Sequence, residues 1–95
     1  MLQPHKDRQF DFLADSEQKL KTVIRDVPDF PKPGIIFKDI TPILASHEHY
    51  NLALNSLTTL INLNGLNDQI DAIAGIESRG FLFGMMLAKQ FNVPF

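Results

Sequence analysis

Residues 70–91 constrain this chain more than any other stretch. Ile-Asp-Ala-Ile-Ala-Gly-Ile at 70–76 predicts a short buried strand, because Ile70, Ala72, Ile73, Ala74 and Ile76 leave Asp71 as its only charge. Phe81, Leu82, Met85 and Met86 recur at helical spacing and predict a helix over 81–91. Between them, Glu77, Ser78, Arg79 and Gly80 suit neither element. A turn at the carboxyl end of a buried strand is where open α/β sheets hold ligands. The backbone N–H groups of Ser78, Arg79 and Gly80 would there lack intrahelical partners. The helix macrodipole adds roughly half a positive charge, and Arg79 adds a full one. That combination favours an anion, above all a phosphate, and Gly75 and Gly80 would let the backbone turn tightly and approach it. On these residues alone an ordinary turn with a solvated Arg79 is an equal reading, since short glycine-containing anion loops are weak motifs.

Composition narrows the function classes. Nine basic and eleven acidic residues give a net charge of −2 with no block of one sign, which argues against broad electrostatic binding to nucleic acid. Cysteine is absent, which excludes disulfides and thiolate metal sites. A hydrophobic fraction of 44% over 95 residues fits one small globular domain. The amino terminus lacks the apolar stretch of a secretory signal, and no apolar run is long enough to span a bilayer. The expectation is a soluble cytoplasmic chain without membrane or nucleic-acid partners. Gly80 and Gly84 form Gly-x-x-x-Gly, which outside an apolar 20-mer says only that the helix can pack closely.

Residues 1–14 show no clear period and read as an extension. A helix is predicted over 15–26, with Asp15 and Gln18 as a capping pair and Leu20, Val23, Ile24 and Val27 as one apolar stripe, ended by Pro28. Pro31, Pro33 and Gly34 then make a stiff turn, and Ile35, Ile36 and Phe37 an extended run bounded by Lys38 and Asp39. An aromatic beside extended backbone suits a flat heterocycle. Stacking a base there contributes roughly 1–3 kcal/mol but does not tell bases apart. Edge hydrogen bonds do, because a mismatched edge leaves buried groups unpaired. The alternative is that Phe30 and Phe37 are core aromatics. Ser46 is placed to cap a helix over 47–63 with Leu54, Leu57, Leu60 and Ile61 on its inner face, closed by Asn64 and Gly65. His47-Glu48-His49 is not assigned to a metal: i, i+2 spacing at a helix start splays the imidazoles, unlike an i, i+4 pair.

Two stretches together carry a family resemblance. Phe-Pro-Lys-Pro-Gly-Ile-Ile-Phe-Lys-Asp-Ile-Thr-Pro (30–42), followed by Ala-Gly-Ile-Glu-Ser-Arg-Gly-Phe-Leu-Phe-Gly (74–84), resembles the amino-terminal half of the adenine phosphoribosyltransferase family, from about residue 20 to 95. The resemblance implies an α/β fold: the first half of a type I phosphoribosyltransferase, a parallel sheet flanked by helices with an amino-terminal base-binding hood. In those terms 1–14 is an extension, 15–44 the helix and hood, and 45–95 the start of the α/β core. It implies transfer of phosphoribose from 5-phosphoribosyl 1-pyrophosphate to adenine, giving AMP and pyrophosphate with Mg²⁺. Ile36, Phe37 and Lys38 would line the adenine site, with Phe37 stacked on the base and the main chain of Ile36 and Lys38 at its N1 and N6 edge. Glu77, Ser78, Arg79 and Gly80 match the pyrophosphate loop, which in the family has a non-proline cis peptide after the acidic residue. Some relatives carry Arg where this chain has Lys38, and Asp is common where Glu77 stands.

The family's ribose-5-phosphate loop, and the mobile loop whose acidic residue is often assigned to catalysis, lie in its carboxyl-terminal half. No catalytic residue and no metal ligand is therefore assigned within these 95 residues. The chain is expected to be about half of such an enzyme, ending near the opening of the next strand and inactive alone. The helix over 81–91 is apolar nearly all round, so more than one of its sides must be covered, by another subunit or by the other half. Homodimers are usual in the family. A phosphoribosyltransferase-like purine-binding regulator and an inert half that needs a partner chain are the rival readings.

Overall fold

The computed structural model describes residues 4–95, and these fall into two compact units that meet between Ala53 and Leu54 in sequence. In the first unit α1 runs over Pro4–Lys21, so most of the expected extension is helix, and residues 1–3 lie outside the described residues. The period is weak, but the ends are well formed. Proline suits a first helical turn, and Asp7 near the start with Lys19 and Lys21 in the last turn complements the macrodipole. Asp15 does not cap a helix; it sits inside α1 and pairs with Lys19 at 3.1 Å, as Glu17 does with Lys21 at 3.0 Å.

The helix stops five residues before the expected end at 26. Thr22 Oγ1 donates to the Lys19 carbonyl at 2.7 Å, and the N–H groups of Val23 and Ile24 both reach the Leu20 carbonyl. β-branched Val23 and Ile24, with Pro28 ahead, favour extended backbone. The chain becomes β1, Arg25–Pro28, antiparallel to β2, Ile36–Asp39. The stripe Leu20, Val23, Ile24 and Val27 is half-buried throughout, although a strand carries its last member. A short α2, Thr41–Leu44, follows and buries Ile43.

Helix α3 spans His47–Leu63, as its period predicts. Ser46 caps it: its carbonyl accepts from Tyr50 N–H at 2.9 Å and its Oγ from His49 N–H at 3.3 Å. Gly65, at φ 67°, closes it with bonds from Gly65 and Leu66 N–H back to Asn62 and Ile61. Ala53 is the buried residue of α3, whereas Leu60, expected on the inner face, is exposed.

In the second unit the segment 70–76 bends at Asp71 and forms no strand, although Ile76 at its end is extended. A buried parallel strand needs a hydrogen-bonded neighbour along its length. Here one bond, Ile73 N–H to the Pro94 carbonyl at 3.0 Å, lays the segment beside 93–95, and Ile76 is 87% exposed. Helix α4, Glu77–Phe91, starts four residues earlier than its apolar period implies and ends at Asn92 in the left-handed conformation. Its buried positions are Gly84 and Ala88; Phe81, Leu82 and Met85 are about half exposed. The Phe95 ring lies over Gly84, where a β-carbon would come within 2.4 Å of it.

Candidate functional site

The hairpin β1–β2 is pinned at both ends. At its turn, Asp29 adopts φ 57° and its Oδ1 accepts the Gly34 N–H at 2.9 Å, a local bond that lets Asp tolerate the left-handed region. Gly34 itself needs φ 85°, and the Phe30–Pro31 peptide is cis. At the open end, Arg25 donates Nε (3.0 Å) and Nη2 to Asp39 Oδ2, while Asp39 Oδ1 accepts Thr41 N–H at 2.9 Å and Thr41 Oγ1 at 2.8 Å. Asp39 is only 9% exposed, and these donors hold its carboxyl at about 2 against an ordinary 3.8. The Arg25 hydrogen bonds contribute most, then those from Thr41, against the opposing effect of burial.

The register of the hairpin decides what its outer edge presents. Val27 lies opposite Phe37 and Pro28 opposite Ile36. Directly opposed antiparallel pairs alternate between hydrogen-bonded and non-hydrogen-bonded. Pro28 has no N–H to give, so its pair with Ile36 reads as a non-hydrogen-bonded one and the alternation makes Val27↔Phe37 and Arg25↔Asp39 the bonded pairs; the Phe30 N–H to Ile35 carbonyl bond at 3.1 Å lies one residue out of this register and belongs to the turn. Pro28↔Ile36 and Asp26↔Lys38 are then the non-hydrogen-bonded pairs. The main-chain groups of Ile36 and Lys38 accordingly point away from β1, two residues apart along one edge, with the Phe37 ring between them on one face. That ring is half-buried and meets Phe30 edge-to-face at a centroid distance of 5.2 Å. The Lys38 side chain lies on the opposite face and pairs with Asp26.

The other predicted stretch is a helix start. Ile76 is the N-cap residue and makes no side-chain cap bond. The Gly80 N–H, expected to face a ligand, instead bonds the Ile76 carbonyl at 3.2 Å, because the turn is already helical. Glu77 and Ser78 precede the first intrahelical donor, and both side chains are exposed, as is that of Arg79. The Glu77–Ser78 peptide is not among the cis bonds; the chain enters the helix through Glu77 at φ 59° instead. That conformation costs a non-glycine residue roughly 1–2 kcal/mol and is seen where neighbouring structure enforces it. Gly75 and Gly80 let the backbone turn tightly, as expected, and each packs against the other's backbone.

The two histidines at the start of α3 turn to different neighbours: His47 Nδ1 lies 2.8 Å from Tyr50 Oη, and His49 Nδ1 lies 2.8 Å from Ser46 Oγ. Among the described residues no three His, Cys, Asp or Glu side chains gather as a metal cage. None of the described helices is long and apolar enough to cross a membrane. Sequence reasoning missed Asp39 as the residue that ties the hairpin together. Its position opposite Arg25 across the turn and two residues before Thr41-Pro42 was the available signal.

A two-stranded hairpin followed by α2, α3 and α4 is shared with the amino-terminal half of solved structures of the type I phosphoribosyltransferase fold. The enzyme from Saccharomyces cerevisiae, complexed with an imino-altritol bisphosphate and adenine, superposes with a TM-score of 0.81 at 35% identity, over 86% of this chain and 47% of that one. The Rhodothermus marinus enzyme gives 0.72 at 47% identity, over 86% and 44%. Within that class, the similarity is to the adenine phosphoribosyltransferases, of which this chain spans less than half. The Campylobacter hominis member is 51% identical over 76 residues, and the Synechocystis member is also 51% identical over 76 residues. Each alignment covers 80% of this chain, which spans only 40% and 43% of the respective relatives. No family model matches the chain.

Proposed function

We propose that this chain is the amino-terminal half of an adenine phosphoribosyltransferase, which transfers phosphoribose from 5-phosphoribosyl 1-pyrophosphate to adenine and releases AMP and pyrophosphate in purine salvage. The observation that carries the reading is the hairpin register, which turns the main chain of Ile36 and Lys38 to one edge beside the Phe37 ring. A purine stacked on Phe37 presents its N1 and N6 edge there, one acceptor and one donor, to a peptide edge that supplies both kinds of partner. Main-chain recognition also explains why Arg can replace Lys38 in relatives. The yeast relative is complexed with adenine, and the Giardia lamblia relative, 32% identical, with 9-deazaadenine.

The reaction displaces pyrophosphate from the ribose C1 by adenine N9, through an oxocarbenium-like transition state. The protein's share is positioning and charge stabilisation. Phe37 with its flanking backbone orients the base. Arg79 and the first N–H groups of α4 hold the leaving pyrophosphate, while Glu77 shapes the turn and transfers no proton. Mg²⁺ fits as a companion of the substrate rather than of a protein cage, since it binds through phosphates and few carboxylates; when bound it offsets charge on the leaving group. We read the whole protein as a cytoplasmic homodimer whose second subunit covers Phe81, Leu82 and Met85 on α4.

The test is formation of AMP by the native protein from adenine and 5-phosphoribosyl 1-pyrophosphate with Mg²⁺. Turnover supports the enzyme. Adenine binding without turnover favours the purine-binding regulator, and neither binding nor turnover favours an inert half.

A further inference from the structure

We propose that Asp39 is a positioning residue for the base: it fixes the register in which β2 offers Ile36 and Lys38 to adenine. The inference rests on the adenine-binding reading above and adds a residue to it. A two-stranded ribbon is marginally stable by itself, and a slip of one residue would carry Phe37 to the opposite face and exchange the main-chain groups along the outer edge. Something must hold β2 in place. Asp39 is the last residue of β2, directly after Lys38, and its carboxylate ties that strand to two other elements. Oδ2 takes the Arg25 fork from β1, and Oδ1 takes the N–H and hydroxyl that begin α2 at Thr41.

This is not an exposed ion pair of small consequence. Arg25 is largely exposed, but Asp39 is 9% exposed, and both its oxygens are occupied by donors of different elements. The other cross-strand pair, Asp26 with Lys38, is solvated on both sides and joins only the two strands. A change at Asp39 therefore loosens the edge that reads the base. The helix start at Glu77–Gly80 lies in the other unit.

The experiment is steady-state kinetics of the native protein and its Asp39→Asn, Arg25→Ala, Arg25→Lys and Thr41→Ser variants, with thermal melting of each. Asn keeps an acceptor for Thr41 but turns an amide toward Arg25. Asp39→Asn and Arg25→Ala are expected to raise KM for adenine about tenfold while KM for 5-phosphoribosyl 1-pyrophosphate stays within about twofold. Arg25→Lys, which keeps one charged donor, should restore part of the loss, and Thr41→Ser, which keeps both donors, should match wild type. Arg25 is exposed enough that its variants read out the same effect if Asp39→Asn does not fold. Equal rises in both KM values, or no rise in either, would overturn the proposal and leave Asp39 a fold-stabilising residue. A wild-type protein that neither binds nor turns over adenine would remove the underlying reading, and this inference with it.

Discussion

Gly75 and Gly80 meet backbone to backbone: a β-carbon on Gly75 would stand 2.4 Å from the Gly80 carbonyl oxygen, and one on Gly80 would stand 3.0 Å from the Gly75 carbonyl carbon. The contact folds the end of the segment 70–76 against the first turn of α4, and so places Glu77–Gly80. Neither neighbour is a flexible side chain that can swing aside. Gly75→Ala is therefore expected to destabilise by about 1–3 kcal/mol, as overpacking does, and to raise KM for 5-phosphoribosyl 1-pyrophosphate more than KM for adenine. Gly34→Ala is the control: it has open space around it and only its positive φ to strain. Denaturant midpoints and the two KM values check both.

Asp39 should leave a signature in acid. Its folded value, about 2, lies below its ordinary 3.8, so the ionised form stabilises the native state above that ordinary value, and the contribution is lost as pH falls toward 2. The wild-type urea midpoint is expected to drop more steeply than that of Asp39→Asn across this window. Parallel curves for the two proteins would show that Asp39 carries no such linkage.

Phe37 and Lys38 separate ring from edge. Phe37→Ala removes the stacking face and is expected to weaken adenine binding by roughly 1–3 kcal/mol, about tenfold to a hundredfold. Lys38→Arg should change it less than about twofold, because in the proposed site the base would meet the main chain of this residue and not its side chain. Adenine titrations of the two variants decide it; a large effect of Lys38→Arg would assign the contact to the side chain.

The apolar face of α4 predicts self-association. Phe81, Leu82 and Met85 share that face and are about half exposed. Met85→Glu would bury an unpaired carboxylate in a subunit contact, and the dimer constant measured by sedimentation is expected to weaken at least about tenfold. A native protein that sediments as a monomer at all concentrations would reassign this face.

The 95 residues expressed alone are expected to make no AMP, since the ribose-5-phosphate loop and the mobile acidic loop have no counterpart among them. Release of labelled AMP by the purified chain would contradict this.

The amino-acid order determined the elements whose signals are local. The α3 period, the Ser46 cap and the Gly65 closure were legible because cap and glycine chemistry act within a few residues. So was the pairing of the 30–42 and 74–84 motifs, which carried the resemblance. What tertiary structure decided was whatever depends on a neighbour distant in sequence. Val23 and Ile24 read as helix but lie beyond its end, because the following residues pair with β2. Residues 70–76 have strand composition, yet they form no strand without a ladder beside them. The contact of Gly75 with the Gly80 backbone, and the tie that Asp39 makes among β1, β2 and α2, are likewise properties of the folded chain. A hydrogen-bonded ladder or a backbone contact is a property of two segments at once, and no window of sequence contains both.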